Sequence, residues 1–208
     1  NYWVLQDLAS DNCYETGPSI DMLDLSQFTF DENNATVYYI WVGCYEVINS
    51  TNVLLEESEN IQHYSRPEIK DHLRGEAYFL RGMLYFDLVR LFGDIPLQLF
   101  STKTAAETQI PRTPVAEVYE SIISDLEKAE QLLRINPFPN RVQGMPTSLA
   151  ASALLAKVYL TRGALTNNAG DFNLAKTSLE KVIGNYTLEP EYADIFKLKN
   201  ANAGEIIW

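Results

Sequence analysis

The sequence predicts an all-α, mostly helical fold with one long irregular loop. Apolar residues recur at intervals of three and four along most of the chain, and no convincing series of alternating strands is present. Of the 208 residues, 46% are hydrophobic, which is enough for a sizeable core. We therefore predict a single helical domain over 1–208, with the loop at 11–34 and helix pairs at 35–92, 114–134 and 147–184.

The first pair consists of two long helices, 35–59 and 66–92, and the second of these carries an unusual mixture of aromatic and charged residues. Its apolar side chains form two stripes, which predicts two packing partners. Arg74 and Arg81 project between the stripes. Because a buried charge is costly unless it is paired, at least one ion pair to a neighbouring helix is expected.

Two glycines, Gly75 and Gly82, interrupt the same helix. Each weakens a helix by about 1 kcal/mol relative to Ala, a loss that we expect only where another helix crosses closely. Gly93 then ends the helix, and the Asp-Ile-Pro sequence that follows turns the chain into an extended segment.

The helix at 114–134 shows the clearest amphipathic pattern in the chain. Thr113 is placed as its N-cap and Pro114 as its first helical residue. Glutamates and a lysine occupy the face that is expected to be exposed to solvent. The predicted buried stripe comprises Val115, Tyr119, Ile122, Leu126, Ala129 and Leu133.

The last pair consists of 147–163 and the stretch DFNLAKTSLEKVIGN, which Gly184 is expected to end. The first of these helices has few charges, which predicts contacts on more than one side. Tyr159 near its end and Ala175 early in the next helix are placed as in a tetratricopeptide unit. Ordinary solenoid helices produce the same small-residue pattern by packing alone, so both interpretations stay open.

Composition argues against several classes of function. The 28 acidic and 16 basic residues give a formal charge of -12, whereas binding to nucleic acid or anionic membranes requires Lys and Arg. His63 and His72 lack ligand spacing and are assigned to surface or capping roles. Acidic pairs such as Asp125 and Glu127 are expected on a solvated helix face. We predict no catalytic residues, no metal and no cofactor.

Cys13 and Cys44 are the only cysteines in the sequence. Their number permits one disulfide, but their spacing matches no zinc or redox motif, so a bridge and two small buried side chains both remain open. No apolar run approaches the length of a membrane-spanning helix. The chain starts at Asn1 without a Met or a leader and ends within AGEIIW, so we expect both ends to be fragment ends.

The stretch RGEAYFLRGMLYFDLVRLFGDIPL, residues 74–97, closely resembles the hallmark helix of the SusD-like (RagB/SusD) family. In that family an Arg-rich and aromatic-rich helix ends in Leu-Phe-Gly-Asp-(Ile/Val)-Pro-Leu. Four more segments follow the family's order: YYIWVGCYEVINSTNVLLE, IPRTPVAEVYESIISDLEKAEQLL, ASALLAKVYLTRG and GEIIW. The resemblance covers nearly the whole chain, and five ordered segments are more specific than any one of them.

The resemblance implies a cell-surface glycan-binding lipoprotein of the Gram-negative outer membrane that acts as a lid on a TonB-dependent SusC-like transporter, without catalysis. Family members are considerably longer, so the chain resembles their N-terminal portion, and the lipidated cysteine is expected upstream of residue 1. One rival hypothesis is RagB-like capture of peptides, for which an acidic surface would suit cationic ligands. The other is a tetratricopeptide-type adaptor that docks protein helices or tails.

The loop at 11–34 is the candidate binding site, because long loops on a rigid helical scaffold commonly carry binding residues. In SusD-like proteins the corresponding loop brings an aromatic platform and polar groups to a sugar, and Ser10, Asp11 and Asn12 match the segment that precedes it. The candidates are Tyr14, Phe28 and Phe30 for stacking, and Asp11, Asn12, Glu15, Asp31 and Asn33 for hydrogen bonds. The alternation of Phe28 and Phe30 also suits an extended segment packed against helices, so a core role stays open.

Overall fold

The computed structural model describes residues 2–64, 66–135, 144–197 and 205–208. It confirms the all-α prediction, since the only strands of the described part form one antiparallel pair, β1 Ile95–Pro96 with β2 Arg112–Thr113. The helices are α1 Tyr2–Leu8, α2 Ile20–Gln27, α3 Ala35–Asn60, α4 Pro67–Phe92, α5 Val115–Leu132, α6 Ser148–Thr166 and α7 Ala169–Val182, with 3₁₀ turns at Ala105–Thr108 and Tyr192–Asp194.

The helices predicted beyond residue 34 agree with the observed ones to within a few residues, but α2 was missed. The loop predicted over 11–34 contains α2, which begins after Ser19, whose hydroxyl accepts a hydrogen bond from the Met22 N–H at 3.4 Å. Only Leu25 of this helix is buried. A two-turn helix with one buried side chain leaves too weak an apolar period to be seen in the sequence.

The chain forms two compact units, Asn1–Ile48 and Asn49–Trp208, and the boundary between them falls within α3. We call them the N-terminal unit and the C-terminal unit. The assignment of 1–208 to a single domain remains a prediction. None of the described helices is long and apolar enough to cross a membrane.

In the C-terminal unit the helices pack in chain order, α4 on α5, α5 on α6 and α6 on α7, and α4 also contacts α6. The two glycines of α4 lie where α5 crosses closely, as predicted. A Cβ atom added to Gly75 would lie 2.8 Å from Cγ of Leu133, and one added to Gly82 would lie 3.0 Å from Cγ of Leu126. A Cβ atom at either position would crowd a leucine side chain of α5 or its C-cap, so glycine favours this close crossing.

Arg81 on α4 is the centre of a buried polar cluster. Its Nε and Nη2 donate to the two carboxylate oxygens of Asp125 on α5, at 2.7 and 2.8 Å. Its Nη1 donates to Oδ1 of Asn52 on α3 at 2.7 Å and to the Leu99 carbonyl at 3.2 Å. The ion pair expected between helices is therefore confirmed. Arg74 also pairs between helices, through Nη1, with the exposed carboxylate of Glu59 on α3.

The extended segment 98–102 is held against α3 by side chains one turn apart. Asn49, Asn52 and Glu56 follow spacings of three and four, so they share one helix face. Their side chains bond backbone groups of 98–102 at distances of 2.7 to 3.0 Å. The Tyr85 hydroxyl also donates to the first carbonyl of this segment at 2.7 Å, and burial raises the pKa of this hydroxyl. These bonds fix the chain that leaves α4.

The start of α5 differs from the prediction. Thr113 belongs to β2, Pro114 is the N-cap residue and Val115 begins the helix. The Val115 N–H instead donates to Oδ1 of Asp94 at 2.9 Å. A proline preceding the helix offers no capping side chain, so the aspartate that follows α4 supplies the acceptor. The predicted buried stripe of α5 is confirmed for Tyr119, Ile122, Leu126, Ala129 and Leu133, whereas Val115 is half-buried.

Two polar residues that were expected at the surface are buried. Asp125 is inaccessible because it is the partner of Arg81. His72 is also buried, with Nε2 at 3.2 Å from Oε1 of Glu76. Burial and the nearby charge of Arg134 lower the pKa of His72, and burial raises the pKa of Glu76. The burial of Asp125 depends on its partner on α4, which the periodicity of α5 does not reveal.

The structure has Cys13 and Cys44 as thiols, with Cys13 exposed and Cys44 half-buried. The alternative of two buried cysteines is therefore wrong for Cys13. His63 is exposed, as expected. The last segment, GEIIW, is described from Glu205 onward, and Gly204 lies outside the described residues. Its Trp208 makes an edge contact with Phe79 of α4, with ring centroids 4.9 Å apart.

Candidate functional site

The candidate site lies in the N-terminal unit, where α2 and α3 are tied together at the start of α3. Asn34 accepts hydrogen bonds from the Thr36 and Val37 N–H groups, at 3.0 and 3.4 Å, and so caps the helix. Its Nδ2 donates to the Asp21 carbonyl, and the Asp21 carboxylate accepts from the Ala35 N–H, each at 2.9 Å. These hydrogen bonds join α2 to the start of α3, so both ends of the segment 28–34 are fixed.

The predicted polar residues are organised by local turns. Oδ1 of Asp31 accepts from the Asn33 N–H at 2.9 Å. The Glu15 carboxylate accepts from the Gly17 N–H, and the Asn12 N–H donates to the Ser10 hydroxyl at 3.3 Å. A carboxylate has about four acceptor positions, so Asp31 and Glu15 keep the capacity to accept from hydroxyls of a ligand. Asp11 is exposed.

The aromatic candidates point to solvent rather than into a core. Tyr14 is 70% exposed, Phe28 58% and Phe30 40%. The core interpretation of the Phe28 and Phe30 alternation is therefore wrong. Phe28 and Phe30 lie between α2 and α3, while Tyr14 lies between α1 and α2.

Phe28 has an unfavourable backbone conformation for its type. It ends α2 with φ 57° and ψ 32°, in the left-handed region, and its N–H donates to the carbonyls of Asp24 and Leu25. This position at a helix end is usually glycine, because a side chain there costs about 1 to 2 kcal/mol. Because the Phe28 ring is exposed, its packing contributes little stability to offset the cost of this conformation. Strain of this kind is concentrated at functional sites.

Tyr38 and Tyr39 are surface aromatics that were not among the predicted site residues. They are 58% and 60% exposed, and their rings meet edge to face, with centroids 5.6 Å apart and planes inclined by 65°. They lie about one turn beyond Asn34, since a helix rises about 1.5 Å per residue. The sequence signal that could have found them is the presence of two adjacent tyrosines in a helix. Successive helical residues point about 100° apart, so a narrow buried stripe contains only one of the two.

The structure brings some of the predicted residues together but not all of them. Asp31 and Asn33 form one turn, next to the capped start of α3. The group formed by Asp11, Asn12, Tyr14 and Glu15 lies on the segment between α1 and α2. In the described N-terminal unit, no hydrogen bond or ring contact joins this group to Phe28, Phe30, Asp31 or Asn33.

The charged side chains of the N-terminal unit are all of one sign. Residues 1–48 contain eight Asp and Glu and no Lys, Arg or His. After them, the first histidine is His63 and the first Lys or Arg is Arg66. Among the residues that the structure describes, no group of three His, Cys, Asp or Glu could hold a metal ion. The unit offers exposed rings, amides and acceptor oxygens, which suits noncovalent binding of hydroxyl-bearing ligands.

Comparison with known proteins gives one consistent family. A family model described as SusD-like, starch-binding and associating with the outer membrane matches residues 4–160. SusD-like protein P2 of Formosa agariphila is 34% identical over 196 residues, which is 91% of this chain and 36% of that protein. The chain therefore spans about a third of the length of this curated relative.

Solved structures agree with this assignment. A SusD superfamily protein from Parabacteroides distasonis superposes with a TM-score of 0.88 at 26% identity, over 100% of this chain and 44% of that one. A structure with a xylogluco-oligosaccharide superposes with a TM-score of 0.80 at 25% identity, over 99% and 42% of the respective chains. With its helical fold and these matches over most of its length, the chain belongs to the SusD-like family.

Proposed function

We propose that the protein captures a glycan at the outer surface of the outer membrane and delivers it to a TonB-dependent SusC-like transporter, without cleaving it. The lipid anchor would be attached upstream of residue 1. The observation that carries the proposal is the set of exposed rings and polar groups on the N-terminal unit. The family description of starch binding and the relative solved with a xylogluco-oligosaccharide support it.

The exposed residue types of this surface suit sugar rings. A pyranose has apolar C–H faces that stack on aromatic rings and equatorial hydroxyls that bond amides and carboxylates. Phe28 and the Tyr38–Tyr39 pair would provide the rings, and Asp31 and Asn33 the polar partners. Because the start of α3 is fixed by Asn34 and Asp21, little ordering of the backbone would be needed on binding.

Calorimetry on the full-length protein with a panel of neutral oligosaccharides tests the proposal. Tyr38→Ala and Phe28→Ala are each expected to weaken binding about tenfold, since stacked aromatic contacts contribute about 0.5 to 1.5 kcal/mol beyond area burial. Tyr192→Ala is the matched control. Tyr192 is an exposed tyrosine of the C-terminal unit that also contacts a second ring, Phe196, edge to face. Equal losses in all three variants would contradict the assignment of the site.

Two further measurements address the rest of the proposal. Incubation of the protein with the bound oligosaccharide is expected to produce no new reducing ends, whereas turnover would contradict a capture role. Co-purification of the full-length protein with its membrane transporter from native membranes is expected, and its absence after crosslinking would contradict delivery. Peptide pools serve as the rival ligands: binding of peptides without binding of any glycan would replace glycan capture by RagB-like peptide capture.

A further inference from the structure

We propose that the site takes uncharged glycans and discriminates against anionic ones, such as glycans that carry uronic acids or sulfate. This inference rests on the proposed function and adds the chemical class of the ligand. It follows from the charges of the N-terminal unit together with the exposed aromatic side chains.

Anionic sugars are normally bound through Arg and Lys, which offer charge-assisted hydrogen bonds to carboxylate and sulfate oxygens. Residues 1–62 contain no Lys, Arg or His, so the N-terminal unit has no cation to offer. A ligand carboxylate desolvated there would have no partner of opposite charge, which is costly.

The charged side chains of the unit are all acidic and would repel an anion as well. Asp31 and Glu32 are exposed at the turn before α3, beside Asn33. The other side chains available for recognition are rings, neutral amides and hydroxyls, which together with the carboxylate acceptors suit a ligand with C–H faces and hydroxyl groups. An uncharged glycan has both.

The test compares three forms of one oligosaccharide that binds the full-length protein: the parent, its carboxymethyl derivative and the methyl ester of that derivative. The ester has the bulk of the derivative without its charge, so it separates steric exclusion from electrostatic exclusion. At low ionic strength we expect the carboxymethyl form to bind about tenfold more weakly than the ester. The difference is expected to shrink as salt is raised, because the screening length falls to about 8 Å at 0.15 M.

A pair of charge variants localises the effect. Glu32→Lys adds a cation to the turn before α3 and is expected to reduce the preference for the ester. Glu180→Lys makes the same change of net charge on α7 of the C-terminal unit, at an exposed residue, and is expected to leave the preference unchanged. Equal effects of the two variants would mean that net charge, and not this surface, decides selectivity, which would overturn the inference.

The outcomes separate this inference from the proposed function. If the carboxymethyl form binds as tightly as the ester, or more tightly, selectivity against anions is wrong while glycan capture stands. If no form of any glycan binds, the proposed function itself fails. Weaker binding of both derivatives to the same extent would show steric exclusion only and would also overturn the inference.

Discussion

The two units of the chain differ in the sign and the pairing of their charged side chains. In the C-terminal unit, buried charges are paired: Arg81 binds Asp125, and Arg162 donates to both carboxylate oxygens of Asp171, at 2.8 and 2.7 Å. The N-terminal unit has eight acidic residues and no basic ones. All 16 Lys and Arg residues therefore lie in the C-terminal unit, where some of their ion pairs connect helices, such as Arg81 with Asp125 and Lys181 with Glu130.

The aromatic residues differ in the same way. The four largest fully buried side chains, Tyr85, Tyr119, Phe79 and Phe86, all belong to the C-terminal unit. In the N-terminal unit the largest fully buried side chains are the aliphatic residues Leu25 and Ile48, while Tyr14 and the Tyr38–Tyr39 pair are exposed. The largest fully buried rings, which hold helices together, thus belong to the C-terminal unit, whereas exposed rings occur in both units, as at Tyr192 and Phe196.

Loss of the Arg81 guanidinium is expected to have the largest effect. Arg81→Met leaves Asp125 buried without its partner, which should lower the free energy of unfolding by about 3 to 5 kcal/mol. Arg81→Met combined with Asp125→Asn should be less destabilised, because no buried charge remains. Lys176→Met removes an exposed pair with Glu180 and should cost no more than about 0.5 kcal/mol. Urea denaturation measures all three, and a loss below 1 kcal/mol for Arg81→Met would contradict the role of the cluster.

The same glycine substitution should have opposite signs in the two units. In Gly75→Ala the new methyl group meets Leu133, so overpacking of about 1 to 3 kcal/mol should exceed the gain in helix propensity of about 1 kcal/mol. Gly43→Ala in the N-terminal part of α3 meets nothing within 4 Å and should stabilise the protein by up to about 1 kcal/mol. Thermal unfolding of both variants measures the difference, and a stabilised Gly75→Ala would show that α5 yields at this crossing.

Phe28→Asn separates binding from stability. Asn tolerates the left-handed conformation, so the variant should be as stable as the wild type or more stable by up to about 1 kcal/mol. Its affinity for glycan should fall, because the ring is lost. A destabilised variant with unchanged affinity would assign Phe28 a structural role and remove it from the site.

The smallest expected effect is a dependence of stability on pH in the C-terminal unit. The pKa of His72 is lowered in the folded protein, so the unfolded chain takes up a proton first as pH falls below about 6.5, and stability declines. The raised pKa of Glu76 acts in the opposite direction at lower pH. Replacing His72 with Gln should flatten the decline, which cannot exceed about 1.4 kcal/mol per pH unit.

Glycan affinity, unlike stability, is expected to depend little on pH near neutrality. The N-terminal unit contains no histidine, so glycan affinity should change little between pH 7.5 and 6, where histidine side chains titrate. Calorimetry at both pH values measures it. An affinity that followed the His72 profile would mean that the C-terminal unit takes part in binding.

Local sequence patterns were sufficient for the helices, the family, the interhelical pairing of Arg81 and the close crossing at Gly75 and Gly82. Each of these depends on spacing along one helix or on a motif within about 25 residues. The candidate surface was only partly predictable: the loop residues were named, but α2, the exposure of Phe28 and the Tyr38–Tyr39 pair were not. Exposure depends on which neighbours cover a side chain, and a short helix leaves little periodic signal.

The sequence by itself determined that the chain is a helical SusD-like protein, because helix periodicity and the segments around RGEAYFLRGMLYFDLVRLFGDIPL are local properties. Only the tertiary structure decided that Asp94 caps α5, across 21 residues, and that Asn49 holds the segment 98–102, across 53 residues. It also decided that Asp125 is buried and that Phe28 is exposed. The physical reason is common to all four: burial and long-range hydrogen bonds depend on partners that are distant in the chain.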